Sequence, residues 1–149
     1  MKTDYMQLAI ELAARSGCLR RKVGAVLVSA DGERRISSVN DPRPYREICM
    51  ERGCLRDQFH IRSGRKLSVC RCCHCERDLL NRCREDGIPT AGAVLYTTLF
   101  PCEKCARALV KAGIREIVYL SRYNENRSMG LLRKAHIEVR QYTLTVEEK

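Results

Sequence analysis

A chain of 149 residues, 44% of them hydrophobic, is long enough to form one domain around its own core, which excludes a disordered segment or a small scaffold dependent on disulfides. Its 28 basic against 18 acidic residues leave a net charge of +10, a surplus that draws an anionic partner such as a mononucleotide phosphate or a polynucleotide. Ten cysteines without a signal peptide, and no apolar run of membrane-spanning length, lead to the expectation of a reducing cytoplasm with no membrane association, where clustered cysteines mean metal more often than disulfides.

Between Asp4 and Arg15, apolar Met6, Ala9, Ile10 and Ala13 recur at the spacing of a helix with one buried face. Val23 to Val28 is a β-type apolar run, Ala30-Asp31-Gly32 a turn, and Arg35 to Val39 a return strand, so a hairpin is predicted. From Asn40 to Val69 no periodicity holds. Asp41-Pro42-Arg43-Pro44 opens this long connection, which is expected to be functional because compact domains seldom keep such loops otherwise. A helix follows from Cys72 to Asp86, closed by Gly87, then a strand from Ala93 to Thr98. Pro101 introduces a helix from Glu103 to Lys111 that ends at Gly113, proline being suited to a helix start and glycine to the position past its end. A strand at Glu116 to Leu120, a helix at Ser128 to Ala135 and a strand at Ile137 to Gln141 complete the chain. Strands alternating with helices predict a mostly parallel sheet covered on both faces, with residues 1–149 as a single domain.

Two short segments carry the chemistry. His74-Cys75-Glu76 and Pro101-Cys102-Glu103-Lys104-Cys105 stand 24 residues apart. Zinc binds imidazole nitrogen and thiolate sulfur in a tetrahedron, and catalytic sites keep one corner for water. His74, Cys102 and Cys105 would supply three ligands and leave that corner open. Glu76, two residues past His74, is suited to carry the proton that water loses. Residues three apart share a helix face, so Cys102 and Cys105 can reach one ion from the first turn of their helix. His74 lies near the start of the preceding helix, and two helix N-termini converging on the metal favour thiolate over thiol. This residue set is the zinc deaminase signature.

Other pairings compete with this one. Cys70 and Cys73 form a C-x-x-C that, with Cys102 and Cys105, would make a closed four-cysteine zinc module, yet such a module needs neither Glu76 nor Pro101. His136-Ile137-Glu138 is a second H-x-E, but it alternates like an edge strand and no C-x-x-C follows it. His60 falls in a loop-like stretch and reads as a surface residue.

With these residues in hand, the chain resembles the cytidine and deoxycytidylate deaminase superfamily, on His74-x-Glu76 followed by Pro101-Cys102-x-x-Cys105. Arg21-Lys22-Val23-Gly24-Ala25-Val26-Leu27-Val28, Gly53-Cys54-Leu55-Arg56, Ser63-Gly64-Arg65 before Cys70, and Gly92-Ala93-Val94-Leu95-Tyr96-Thr97-Thr98 are similar to its deoxycytidylate (dCMP) deaminase and late-competence branch, from about residue 8 to residue 140. The resemblance implies a three-layer α/β/α sandwich with a mixed, mostly parallel five-stranded sheet. It implies conversion of dCMP to dUMP and ammonia through a zinc-bound hydroxide and a Glu76 proton shuttle. Asn40 then corresponds to the residue that meets the sugar and Tyr123 to the one at the phosphate end, with Arg21 or Lys22 as assisting charges. It also implies a homo-oligomer.

For Cys18, Cys49, Cys54 and Cys70 the resemblance offers a second, structural zinc, while free cysteines acting as small buried apolar residues are the alternative. Cys72, Cys73, Cys75 and Cys83 read as packing residues. The chain departs from the family at Cys75 and Arg77-Asp78-Leu79, and a Gly-Tyr-Asn-Gly loop appears here as Ser38-Val39-Asn40-Asp41. Two alternatives stay open: a cytosine or adenine deaminase acting on another nucleotide, RNA or single-stranded DNA, and a zinc-stabilised binding module without catalysis. Single strands are usually held on aromatic platforms, and with no tryptophan, two phenylalanines and six tyrosines the chain favours a free nucleotide.

Overall fold

The computed structural model describes residues 4–16, 22–40, 74–122 and 127–143. Among these, helix α1 spans Tyr5–Ala13 and opens on Asp4, whose carboxylate accepts the Gln7 N–H at 3.0 Å. Strands β1 (Gly24–Val28) and β2 (Arg35–Val39) form the predicted hairpin, its turn closed by Gly32 in a left-handed conformation that glycine adopts without strain. The chain resumes with α2 (Cys75–Asp86), β3 (Val94–Leu99), α3 (Glu103–Ala112), β4 (Glu116–Ser121), α4 (Arg127–Lys134) and β5 (Glu138–Gln141). Each falls within three residues of its predicted bounds, and Gly87 and Gly113 stop α2 and α3 as anticipated.

The sheet order is β2-β1-β3-β4-β5. β1 runs antiparallel to β2 and β3, while β3, β4 and β5 pair in parallel, so four of the five strands point one way and only β1 opposes them. That arrangement accounts for the apolar content of β1, whose five residues are all buried between two strands and two helical layers, whereas edge strand β2 alternates buried positions with exposed or half-buried ones.

Alternation along the strands builds two cores. On one face α1 sets Met6 and Ala9 against Val26, Val28, Val94 and Val118. On the other, α2, α3 and α4 bring Leu79, Cys83, Leu109, Met129 and Leu132 onto Ala25, Leu27, Leu95 and Ile117. The α1 layer is drawn in so closely that a Cβ on Gly24 would lie 2.2 Å from the Ala9 carbonyl oxygen and 2.7 Å from the Ala13 nitrogen. A three-layer α/β/α sandwich results. No helix among the described residues is long and apolar enough to cross a membrane.

Candidate metal centre

The chain reaches the site along β3. Thr98 Oγ1 accepts the Gly24 N–H at 3.1 Å, the Thr98 carbonyl accepts the Ser121 hydroxyl at 3.1 Å, and the Phe100 N–H donates to the Ser121 carbonyl at 2.7 Å. These bonds to both neighbouring strands, with an edge-to-face contact between Phe100 and Tyr119 at 4.9 Å, fix the segment that delivers buried Pro101 and Cys102 to the start of α3. The C-terminal end of a parallel strand is where open α/β sheets place their ligands.

His74 occupies the N-cap of α2 and Cys102 the N-cap of α3, positions usually given to Ser, Thr, Asp or Asn, and neither side chain caps its own helix. Their side chains turn instead to each other and to Cys105, the third residue of α3. His74 Nδ1 lies 3.6 Å from Cys102 Sγ and 3.4 Å from Cys105 Sγ, and donor atoms of the three residues all fall within 4.8 Å of one another. A tetrahedral zinc with Zn–S of about 2.3 Å and Zn–N of about 2.0–2.1 Å holds nitrogen and sulfur roughly 3.6 Å apart, so the triangle fits the ion. Two thiols and one imidazole are zinc donors by type, and they leave a fourth corner for water.

The protons on this triangle are already shared. A hydrogen bond from the Cys105 thiol, and then one from His74, hold Cys102 at about 4. Cys105 is correspondingly pushed up, since its hydrogen bond to Cys102 keeps the proton on Cys105 and burial adds to the effect. His74 is raised through its bond to Cys102. A divalent cation would displace these protons and take up the negative charge.

Glu76, on the first turn of α2, is only 5% exposed, and burial raises its carboxyl above the ordinary range, with the charge of Cys102 adding to the rise and His74 opposing it. Cys75 is pushed up too, by burial and then by the charge of Glu76. Cys75 and Cys83 are buried free thiols in the three-helix core, as their packing role predicts.

Around this centre, the Ser38 hydroxyl donates to the Asp78 carboxylate, and Arg82 Nη1 donates to the Ser37 carbonyl at 2.6 Å while lying 3.6 Å from Asp78. The first two turns of α2 are thereby tied to β2. Asn40, just past β2, is 8% exposed and has its side-chain oxygen on the Val23 N–H at 2.8 Å and the Ser16 hydroxyl at 2.5 Å. The Ser16 bond to Asn40, the Ser38 bond to Asp78 and the Arg82 bond to the Ser37 carbonyl leave no mark in the sequence, because each joins residues 24 to 45 positions apart. Lys22 is exposed, and His136 stands at the turn into β5 with a positive φ of 62°, away from the triangle's segments. Tyr123, Arg21, His60, Cys72, Cys73 and the four cysteines considered for a second zinc, Cys18, Cys49, Cys54 and Cys70, lie outside the described residues.

Comparison with known proteins agrees with this geometry. Residues 1–121 match the family model described as the cytidine and deoxycytidylate deaminase zinc-binding region. Deoxycytidylate deaminase of Schizosaccharomyces pombe is 34% identical over 140 residues, which is 93% of this chain and 42% of the yeast protein. ComE operon protein 2 of Bacillus subtilis is 31% identical over 141 residues, covering 94% of this chain and 70% of its own. Among solved structures, the dCMP deaminase of cyanophage S-TIM5, in complex with dCMP and dUMP, superposes with a TM-score of 0.68 at 22% identity over 93% of both chains. The chain spans less than half the length of the yeast relative.

Proposed function

The chain belongs to the cytidine and deoxycytidylate deaminase zinc-binding family, and from that premise we propose that it is a zinc-dependent hydrolytic deaminase converting dCMP to dUMP and ammonia. The observation that carries the reading is the His74, Cys102 and Cys105 triangle with buried Glu76 two residues from His74. Zinc on these donors supplies a Lewis acid that brings the deprotonation of water into the neutral range. Glu76 takes the proton from water on its carboxylate oxygen, gives it to N3 of the cytosine ring, and carries the next to the departing 4-amino nitrogen. The C4–O bond forms and the C4–N bond breaks, so one water is consumed and one ammonia leaves. A carboxyl raised by burial is matched to that work, since it holds a proton at higher pH than a solvated glutamate does.

On the family resemblance, Asn40 is assigned to the sugar and Tyr123 to the phosphate end, with basic side chains such as Arg21 or Lys22 adding to the attraction of the anion. The name borne by the Schizosaccharomyces pombe relative, deoxycytidylate deaminase, supports dCMP over other cytosine nucleotides. A second zinc on Cys18, Cys49, Cys54 and Cys70, a single functional domain and assembly as a homo-oligomer complete the proposal. Free thiols at Cys75, Cys83, Cys102 and Cys105 agree with a cytoplasmic location.

The test is ammonia release by zinc-loaded protein from dCMP, CMP, deoxycytidine, dCTP and a cytosine-containing single strand, with Glu76→Ala alongside. Turnover of dCMP that disappears in Glu76→Ala while zinc content holds is the expected result. Turnover of the strand alone, weakening steeply with salt, would replace the free nucleotide with a polynucleotide. Bound zinc with no turnover of any substrate would leave a binding module.

A further inference from the structure

Between the outer faces of α2 and α3 lies a half-open groove of about 500 Å³. On α2 it is lined by Arg77, Leu80 and Arg84, and on α3 by Ala108, Lys111 and Ala112, sets whose spacings of three, four or seven residues mark one face of each helix. Leu80 and Ala112 are half-buried and rest, with Ile88, on the apolar core beneath, so the floor of the groove is apolar. Ala108 and Ala112 reach no further than Cβ, which leaves the channel open. Arg77, Arg84 and Lys111 are exposed along it.

Two other arginines of these helices are matched locally: Arg82 meets Asp78 at 3.6 Å and Arg107 meets Glu103 at 2.8 Å, each one turn back along its own helix. Arg77, Arg84 and Lys111 have no such partner. None of the three side chains forms an ion pair or a hydrogen bond with a described residue, and no carboxylate stands among the described residues that line the groove. Uncompensated cations around an apolar floor call for a ligand that is anionic and apolar at once. Arg77 and Arg84 stand seven residues apart, about 10 Å along the helix axis, which equals two turns of a helix lying beside them. We propose that the groove between α2 and α3 docks an acidic amphipathic helix of a partner protein, which sets carboxylates two turns apart on Arg77 and Arg84, and an apolar side chain between them on Leu80. A second copy of this chain, joined by a two-fold axis through the groove, would bring the same cations face to face. A single-stranded polynucleotide stacks its bases on aromatic rings, and no aromatic side chain stands among the described lining residues. A groove two turns long buries less than a standard interface, so the partner comes and goes and its affinity falls with salt. Docking here does not depend on the chemistry at the metal centre.

Binding is measured by fluorescence anisotropy of a fluorescein-labelled, alanine-rich peptide of about 18 residues, long enough to be helical in water, with Glu at two positions seven apart and Leu between them on one face. The zinc-loaded full chain should bind it in the micromolar range, and Arg84→Glu/Lys111→Glu should weaken binding about tenfold with ammonia release from dCMP as in the wild type. Serine in place of the peptide's leucine should also cost about tenfold, the worth of one buried leucine. Lysine in place of both glutamates should abolish binding to the wild type and restore it to the double variant, which an unfolded protein could not show. Should the double variant fail to fold, Arg84→Gln carries the test with a loss of about threefold. No anisotropy change up to about 1 mM peptide, or equal affinity of wild type and variants, would overturn the proposal. So would a single-stranded oligonucleotide that binds more tightly and displaces the peptide, which would make the ligand a nucleic acid. Sedimentation velocity supplies the last arm: an oligomer that dissociates in the double variant would make the groove a contact between copies and overturn the partner helix.

Discussion

On one face of the sheet a single helix packs Met6 and Ala9 against four valines, whereas on the other three helices bury Glu76, Cys75, Cys102 and Cys105 among their apolar side chains. The α1 layer is held by fit and by transfer of apolar surface, each fully buried side chain contributing about 1.5–3 kcal/mol. Desolvating a carboxyl costs on the order of 1–3 kcal/mol where its hydrogen bonds do not replace those to water, so buried Glu76 offsets about one apolar contact. The larger apolar core lies on the three-helix face, and part of what it gains is surrendered there where the chemistry is done, which is the pattern expected when a site must hold charges it has desolvated.

Glu76→Gln separates the two quantities most widely. Turnover should fall by about 10³-fold, the share of the rate that general acid–base catalysis supplies, with zinc content unchanged. Stability of the metal-free protein should move the other way. Burial raises the folded pKa of Glu76, so its contribution to stability is complete below the unfolded carboxylate pKa and is lost as pH rises through the folded value. Thermal unfolding should then find Glu76→Gln the more stable protein at neutral pH, with the gap closing in acid. A variant that is less stable than wild type at neutral pH would contradict the contrast between the faces.

Zinc addition probes the same face without a substitution. At a thousandfold excess over its dissociation constant, zinc should stabilise the protein by about 4 kcal/mol, and should do little for His74→Ala. Amide exchange should slow in the first turns of α2 and α3 and stay as it was in α1. Protection that rises equally in α1 would show the two layers to be one cooperative unit.

What the sequence disclosed divides along similar lines. The elements were legible because each is announced locally: the Ala30-Asp31-Gly32 turn between two apolar runs, Gly87 and Gly113 at helix ends, Pro101 before Cys102. His74 and the two cysteines were legible because metal ligation restricts residue type as well as spacing. The insertion of β1 between β2 and β3 was not, since nothing in an apolar run says which strand it will border. The Ser16 bond to Asn40 and the Ser38 bond to Asp78 were hidden for the same reason: each joins segments that only the finished sheet brings together. Polar contacts that prepare a site leave weaker traces in sequence than the donors themselves.

Gly24→Ala attacks the other layer. The added Cβ would meet the backbone of α1 at Ala9 and Ala13, and backbone cannot swing aside as the end of a side chain can. Destabilisation of about 3 kcal/mol is expected, at the upper end of overpacking effects, measured by urea unfolding. Zinc per folded molecule should not change. A Gly24→Ala protein with wild-type stability would mean that α1 shifts outward freely, and the close packing assigned to this face would not hold.

The smallest expected effect tests whether α1 can be weakened without touching the metal centre. Asp4 caps α1 through the Gln7 N–H and also accepts the Tyr142 hydroxyl at 2.8 Å, joining the helix start to the residue that follows β5. Its pKa lies below the ordinary 3.8, chiefly through the Gln7 N–H and then through the Tyr142 hydroxyl. Because the folded value is depressed, the stability it contributes is present above the unfolded carboxylate pKa and is lost as pH falls through the folded one. Asp4→Ala should lower stability by about 1 kcal/mol at neutral pH, as removal of a helix cap does, and by progressively less in acid. Asp4→Asn keeps an acceptor for the Gln7 N–H and should recover most of the loss while abolishing its pH dependence. In both variants kcat and KM for dCMP should equal those of the wild type, because Asp4 lies at the start of α1 and touches nothing at the centre. A fall in turnover that tracks the loss of this cap would show that the α1 layer positions the site as well as stabilising the sheet.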